Sequence, residues 1–315
     1  MISDERGVSR RVVLLGGLAV AFSASACTRE EVREPSGGPT PSTWTDVPDL
    51  TGSYTIVDPA TGSRVEVTVA GQTRSIRANG LPAHDTGVFP NAGNPNSIAP
   101  QTYAFDLPLG PTVAAQPTPL VLPQPFGIAV NGVLFDPLAA AWYGNDPSSG
   151  WTLEAIRPQG TVLGLDGSNA HVQPTGAYHY HGVPSGLVEP MDASAHGPLV
   201  GWAGDGFPIY AQFGYRDPMD PTSPIRQLQP SYRLRDGARP SGTRGPGGFH
   251  DGTYTEDYEY VDGLGDLDVA NGRYGMTPEY PSGTYYYVLT QLFPYAPRFV
   301  AGMLAPSFLR ARGQR

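Results

Sequence analysis

Four of the six histidines in this 315-residue chain, His171, His179, His181 and His196, lie within a span of 26 residues. His179 and His181 alternate with Tyr178 and Tyr180 in the stretch GAYHYHG, residues 176–182. A strand sends successive side chains to opposite faces, so the two tyrosines would point one way and the two histidines the other. Imidazole nitrogens suit zinc, copper, iron and nickel. Three of them around an ion with one open position would make a reactive centre. A fourth ligand, His196 or an acid, would close it. No cysteine ligand is at hand, because the single cysteine is Cys27. That argues against a structural zinc knuckle, and an all-imidazole set in an exported protein favours copper over zinc. The competing account has Tyr178 and Tyr180 in the core and the histidines on a polar face, hydrogen-bonded to their neighbours.

Whether the histidines converge depends on the element that carries them. Pro174-Thr175-Gly176 has turn chemistry, with Gly176 suited to the left-handed position of a three-residue hairpin loop. With that loop, Val172-Gln173 pairs back onto Ala177-Tyr178. His171 then faces His179 directly, with His181 diagonal to it on the same face. Opposed side chains in a hairpin are about 5 Å apart and diagonal ones about 7–8 Å. A loop of two or four residues would turn His171 to the other face.

The rest of the chain reads as a mainly β protein, a single large antiparallel sandwich- or barrel-like domain with long Pro/Gly-rich loops. The 40 glycines and 34 prolines suit short strands and tight turns and disfavour long helices. Hydrophobic residues at 39% supply a core. Alternating β-branched residues mark SYTIVD and RVEVTVAGQTRSIRANG as strands. FGIAVNGVLFD is two apolar runs around Asn131-Gly132, a hairpin signature. FPIYAQFGY and GTYYYVLTQLFPY are aromatic strands, and Pro208 sets the first at a sheet edge or at its own start. DPLAAAWYG and WTLEAIRP are the candidates for short helical turns. Residues 216–250 form a long Pro/Gly excursion, a functional or a floppy loop. The net charge of −9 repels phosphate backbones, so no nucleic-acid partner is expected.

Other chemistry-bearing residues have simpler roles. Asp205 in WAGDGFPIY is a turn former that could also support an imidazole from behind. Asp266, Asp268 and Asn271 approach a calcium loop, but the third ligand comes one residue late. Glu256, Asp257 and Glu259 read equally well as a solvated acidic strand end. Ser168 lacks the sequence of a nucleophile elbow.

The N-terminus reads as an address. In SRRVVLLGGLAVAFSASAC, Arg10-Arg11 precede an apolar run and then small residues, a signal-peptide layout similar to the twin-arginine export signal. Cys27 after Ala24-Ser25-Ala26 resembles a lipobox, although Ala24 stands where leucine is usual. A lone cysteine in an exported chain is well explained by lipidation. Residues 1–27 are therefore expected to be a signal peptide ending in the lipobox cysteine, and 28–48 a flexible tether. Residues 49–310 would be the β-rich domain, held outside the cytoplasm on the membrane by a lipid anchor.

With these segments in view, the chain resembles the YHYH domain family over roughly residues 120–305. The resemblance rests on GIAVNGVLFDP, HVQPTGAYHYHG, HGPLVGWAGDGFPIY, SYRLRDGARPSG, GTYTEDYEY, GDLDVANGR and GTYYYVLTQLFPY in order. It implies an exported or surface protein and supplies no reaction. The family pattern often has TYHYF or TYAYF near Tyr285–Tyr287, where this chain has three tyrosines, so no ligand is expected from that strand. The expectation is a transition-metal protein using His171, His179, His181 and His196, copper ahead of zinc. Tyr178, Tyr180 and Asp205 would act in support. The alternative is a metal-free surface module that binds glycan or protein through an exposed platform of tyrosines.

Overall fold

The computed structural model describes residues 44–310. The expected signal segment, Cys27 and most of the tether lie outside the described residues. Strands β1 (Tyr54–Val57), β2 (Arg64–Ala70), β3 (Thr73–Ala78) and β4 (Tyr103–Pro108) form a four-stranded antiparallel meander. Their alternation is visible in β2, where Val65 and Val67 are buried and Arg64, Glu66 and Thr68 are exposed. Then come β5 (Thr118–Pro119), β6 (Gly127–Ala129), β7 (Leu134–Phe135), β8 (Ala170–Val172), β9 (Tyr178–Tyr180), β10 (Leu199–Ala203) and β11 (Pro208–Ala211). Two hairpin-like pairs follow, β12 (Phe213–Tyr215) with β13 (Ile225–Gln227) and β14 (Tyr232–Leu234) with β15 (Tyr258–Tyr260). Next are β16 (Gly272–Gly275) and β17 (Thr284–Leu289), and β18 (Phe299–Val300) pairs back with β5.

The central sheet has eight strands in the order β16-β17-β11-β10-β6-β7-β9-β8. It is open at β16 and β8, so the sheet is no closed barrel. The expected mainly β class holds, with one departure from an all-antiparallel sheet: β11 runs parallel to β17, and β7 parallel to β9. Parallel neighbours need long crossovers, and residues 136–177 and 212–283 provide them. Pro208 begins β11, which is nevertheless a central strand between β10 and β17. Proline is tolerated there as the strand's first residue.

The meander packs against the central sheet around one core that draws residues from both. Tyr54 of β1 lies 6.4 Å from Trp202 of β10, and the Arg74 guanidinium lies 4.1 Å above the Trp202 ring. The Asn131-Gly132 turn sits at this interface. Gly132 has φ +83°, and a Cβ there would meet the Ala78 Cβ at 2.5 Å. Glycine is required on both counts. Trp202, Tyr178, Tyr180, Tyr210, Tyr286 and Tyr287 are among the largest fully buried side chains.

Helix is scarce, as expected: α1 (Ser185–Val188) and α2 (Pro306–Arg310) are a turn or so each. The predicted helical turn around 136–144 is reduced to a 3-10 turn at Tyr143–Asn145. WTLEAIRP is not helical, because Thr152 and Leu153 bridge to Trp142 and Tyr254. Residues 216–250 are tied down by β13, β14 and a buried ion pair, Arg239 with Asp257. Among the described residues no helix is long and apolar enough to cross a membrane.

Candidate metal centre

The β8–β9 hairpin has the register that the sequence implies. His171 stands opposite His179, flanked by the pairs Ala170–Tyr180 and Val172–Tyr178. Gln173 N–H donates to the Ala177 carbonyl at 3.0 Å and Gly176 N–H to the Gln173 carbonyl at 2.8 Å, closing the three-residue loop. Gly176 has φ +86°, and a Cβ would fall 2.5 Å from that of Ala99. The Ala99 N–H donates to the Gly176 carbonyl at 2.9 Å, so the loop is docked on the segment before β4.

The two faces of β9 divide as the alternation predicts. Tyr178 and Tyr180 are fully buried. The Tyr178 hydroxyl donates to Asp166 Oδ2 at 2.7 Å. His84 directs Nδ1 to the Asp85 carbonyl at 2.8 Å, which leaves its Nε2 to accept from the Tyr180 hydroxyl at 2.7 Å. Asn131 then donates to the same hydroxyl at 3.0 Å.

The histidine face is not a wet surface. His179 is 3% exposed and His181 1%, while His171 is half-buried. In the central sheet β9 is flanked by β7 and β8, and Asp136, Leu138, Ala139, Ala140, Ala141 and Leu163 line the space beside His171 and His179. The Nε2 of His181 lies 3.1 Å from that of His171 and 3.0 Å from that of His179. Among the described residues, these three form the group of histidine, cysteine or acidic side chains whose ligand atoms all lie within 4.8 Å of one another.

The backbone fixes the ring tautomers. A carbonyl only accepts, so His171 Nδ1 must donate to the Leu163 carbonyl at 2.7 Å, and His179 Nδ1 to the Ala177 carbonyl at 3.1 Å. In the neutral rings both Nε2 atoms are then bare lone pairs aimed at His181 Nε2. A proton on His181 Nε2 can point at only one of the two, and with the proton on its Nδ1 instead both contacts set lone pair against lone pair. A cation among the three nitrogens removes the conflict. Tetrahedral bonds of about 2.0–2.1 Å would space the nitrogens about 3.3 Å apart, within a few tenths of an ångström of the two short separations. Burial pushes the His181 pKa well down, with the other two rings and Arg298 adding to it against the Pro137 carbonyl. Burial also lowers His171, opposed by the Leu163 carbonyl and Asp166. Neutral imidazole is the metal-binding form.

His196 does not join this group. It sits among Tyr210, Tyr215 and Tyr286, with ring centroids 5.0, 5.1 and 5.9 Å away. Its Nδ1 donates to the Gly197 carbonyl at 2.9 Å, and its Nε2 is buried without a hydrogen-bond partner. The bulge between Leu199 and Gly201 and the strand order carry the start of β10 towards β11 and β17, away from β8. Asp205 is also remote from the imidazoles. It accepts from the Tyr287 hydroxyl at 2.5 Å, Gly302 N–H at 2.9 Å and Phe207 N–H at 3.2 Å, so it organises the β10–β11 turn.

The weaker candidates serve structure. Asp268 accepts from the Ala270 and Gly272 N–H groups and from Tyr285, and Asp266 pairs with Arg226. Ser168 accepts from Gly186 N–H. Asp257 is not a solvated strand end: it is fully buried, bound by Arg239 and by His250 Nδ1 at 3.0 Å. Asp136 escaped the sequence reading. Leu134 pairs with His179 and Phe135 with Tyr180, and Asp136 N–H donates to the Tyr180 carbonyl at 2.9 Å. That register puts Leu134 and Asp136 on the histidine face. Alternation within 134–136 was legible; the parallel pairing with β9 was not.

A mainly β domain with three histidines gathered on one strand pair is thus the class that fold and site define. The family model described as YHYH protein matches residues 104–302, more than half of the chain, and the chain belongs to that family. The match begins before and ends close to the segment that the motifs marked. No curated protein and no solved structure matches the chain.

Proposed function

We propose that this YHYH protein is an exported, lipid-anchored protein that binds one transition-metal ion through His171, His179 and His181. The observation that carries the reading is the meeting of three Nε2 atoms, two of them stripped of their protons by Nδ1–H bonds to carbonyls. Carbonyl partners on the distal ring nitrogen are the usual means of fixing a ligating imidazole. The all-nitrogen donor set and an oxidising destination favour copper over zinc. Export after folding would let the cytoplasm load the ion, which pulls the other way towards zinc. Metal analysis by mass spectrometry on protein purified from its native compartment tests the reading. About one equivalent of copper or zinc in the native protein and none in His179→Ala is the expected result. Native protein that stays metal-free after incubation with either ion refutes it.

The metal-free alternative needs an exposed tyrosine platform. Tyr178, Tyr180, Tyr210, Tyr285, Tyr286 and Tyr287 are all buried, which favours the metal reading. Export and anchoring rest on Arg10-Arg11 and Cys27 in the sequence.

A further inference from the structure

A cavity of about 380 Å³ adjoins the three-histidine cluster, and both His171 and His179 form part of its wall. His181 does not line it. An ion held by the three Nε2 atoms therefore has protein on the His181 side and space on the other. The cavity has two kinds of wall. One is apolar, with Leu122, Leu138 and Leu163. The other is polar, with Asp136, Asn96 and Gln173. Asn96 and Gln173 each have one amide N–H engaged. Asn96 Nδ2 donates to the Val172 carbonyl at 2.8 Å, and Gln173 Nε2 to Asp136 Oδ2 at 2.8 Å. Each keeps its carbonyl oxygen and a second N–H, so the group of this wall that only accepts is the Asp136 carboxylate, and among the described residues no arginine lines the cavity. Asp136 shares the sheet face with the histidines. It lines the same cavity and is not part of the group whose ligand atoms all lie within 4.8 Å of one another.

We infer that the fourth coordination position opens into this cavity and takes a small neutral molecule with an apolar body, a nitrogen or oxygen that ligates the metal, and an N–H or O–H for the Asp136 carboxylate. The volume is at the low end for small-molecule sites, so the occupant is of one-ring or two-ring size. Anions are disfavoured by the carboxylate. This inference rests on the metal reading above.

The test uses the mature protein loaded with cobalt(II), whose visible absorption reports a change of coordination. The probes are 4-phenylimidazole, its N1-methyl derivative and benzoate. The expected result is a spectral change on adding 4-phenylimidazole, at least tenfold weaker binding of the N-methyl compound, and weaker binding still of benzoate. Asp136→Asn should shrink the N–H preference to under threefold. Ala140→Trp, at an exposed position on the cavity wall, should block every probe while cobalt still binds; Ala141→Trp serves if that variant fails to fold. Failure of cobalt to bind would sink the metal reading and this inference with it. Bound cobalt whose spectrum ignores 4-phenylimidazole would overturn the inference alone. So would equal binding of the three probes, or probe binding unaffected by tryptophan in the wall.

Discussion

His171 and His179 stand opposite each other across the β8–β9 ladder, and each gives its Nδ1–H to a backbone carbonyl, that of Leu163 in one case and Ala177 in the other. This shared arrangement, more than the number of histidines, is what suits the site to hold a cation. Two imidazoles are held in the tautomer that presents a lone pair, and both lone pairs are aimed at the ring of His181.

Removing the ion should cost the native protein stability that His179→Ala has already lost. At a metal concentration a hundred times its dissociation constant, linkage contributes about 2.7 kcal/mol. For a domain of this size that is a fall in Tm of about 5–10 °C on adding chelator. The same chelator should leave the Tm of His179→Ala unchanged. Equal responses in the two proteins would mean that the histidines are ordinary buried side chains.

The metal-free protein should lose stability as pH falls below about 6.5. Burial depresses the pKa of His181 and of His171 in the folded state. The unfolded chain therefore takes up protons near pH 6.5 while the folded one resists. Stability is full above the unfolded pKa and drains away as pH falls towards the depressed folded values. Chemical denaturation between pH 8 and pH 5 measures this slope, which His181→Phe should flatten. A slope of opposite sign would contradict burial as the controlling effect.

Tyr180→Ala should destabilise by about 3–5 kcal/mol, as for other fully buried aromatics. Tyr180→Phe should cost about 1–3 kcal/mol, because His84 Nε2 loses its donor and Asn131 its acceptor while the ring stays. Neither should change metal stoichiometry, since the hydroxyl lies on the opposite face from the imidazoles. Denaturant titration and metal analysis of the two variants check both halves.

Asp257 is the acid-sensitive pin of the loop region. Burial raises its pKa, but hydrogen bonds from Arg239, Tyr254 N–H and His250 more than offset this and hold it at about 2. Its contribution of roughly 2 kcal/mol is present above about pH 4 and is lost as pH falls towards 2. Asp257→Ala should cost about 3 kcal/mol at pH 7, because it leaves buried Arg239 with the half-exposed Asp251 as its carboxylate partner. Proteolysis within 216–250 should rise accordingly. An unaltered cleavage rate would show that the loop is held by β13 and β14 alone.

Cys27→Ser should move the protein from the membrane to the soluble fraction, because multiple acyl chains hold a lipoprotein where one would not. Arg10→Lys with Arg11→Lys should block export and leave a folded cytoplasmic pool. Membrane fractionation reads both, and a native protein already soluble would rule out the anchor.

The sequence by itself determined the local parts of this protein. Turn chemistry at Pro174–Gly176 and at Asn131-Gly132 is a property of a few adjacent residues, and alternation along Tyr178–His181 follows from strand geometry. Together these set the pairing of His171 with His179 and the split between tyrosine and histidine faces. The tertiary structure decided everything that depends on which distant segments meet. Whether the histidine face meets water or protein turned on the parallel pairing of β7 with β9, across a crossover of some forty residues that leaves no periodic mark. That pairing sets Asp136 on the histidine face, and the segment that follows β7 lines, with Leu163, the space beside His171 and His179. His196 looked like a fourth ligand because it is near in sequence, yet the strand order sends it into a cage of tyrosines. Asp257 looked solvated in EDYEY, since a short acidic run is the same string whether or not Arg239, eighteen residues upstream, folds back onto it. Short-range sterics are written in neighbouring residues. Burial and long-range pairing are settled only by the packing of the whole chain.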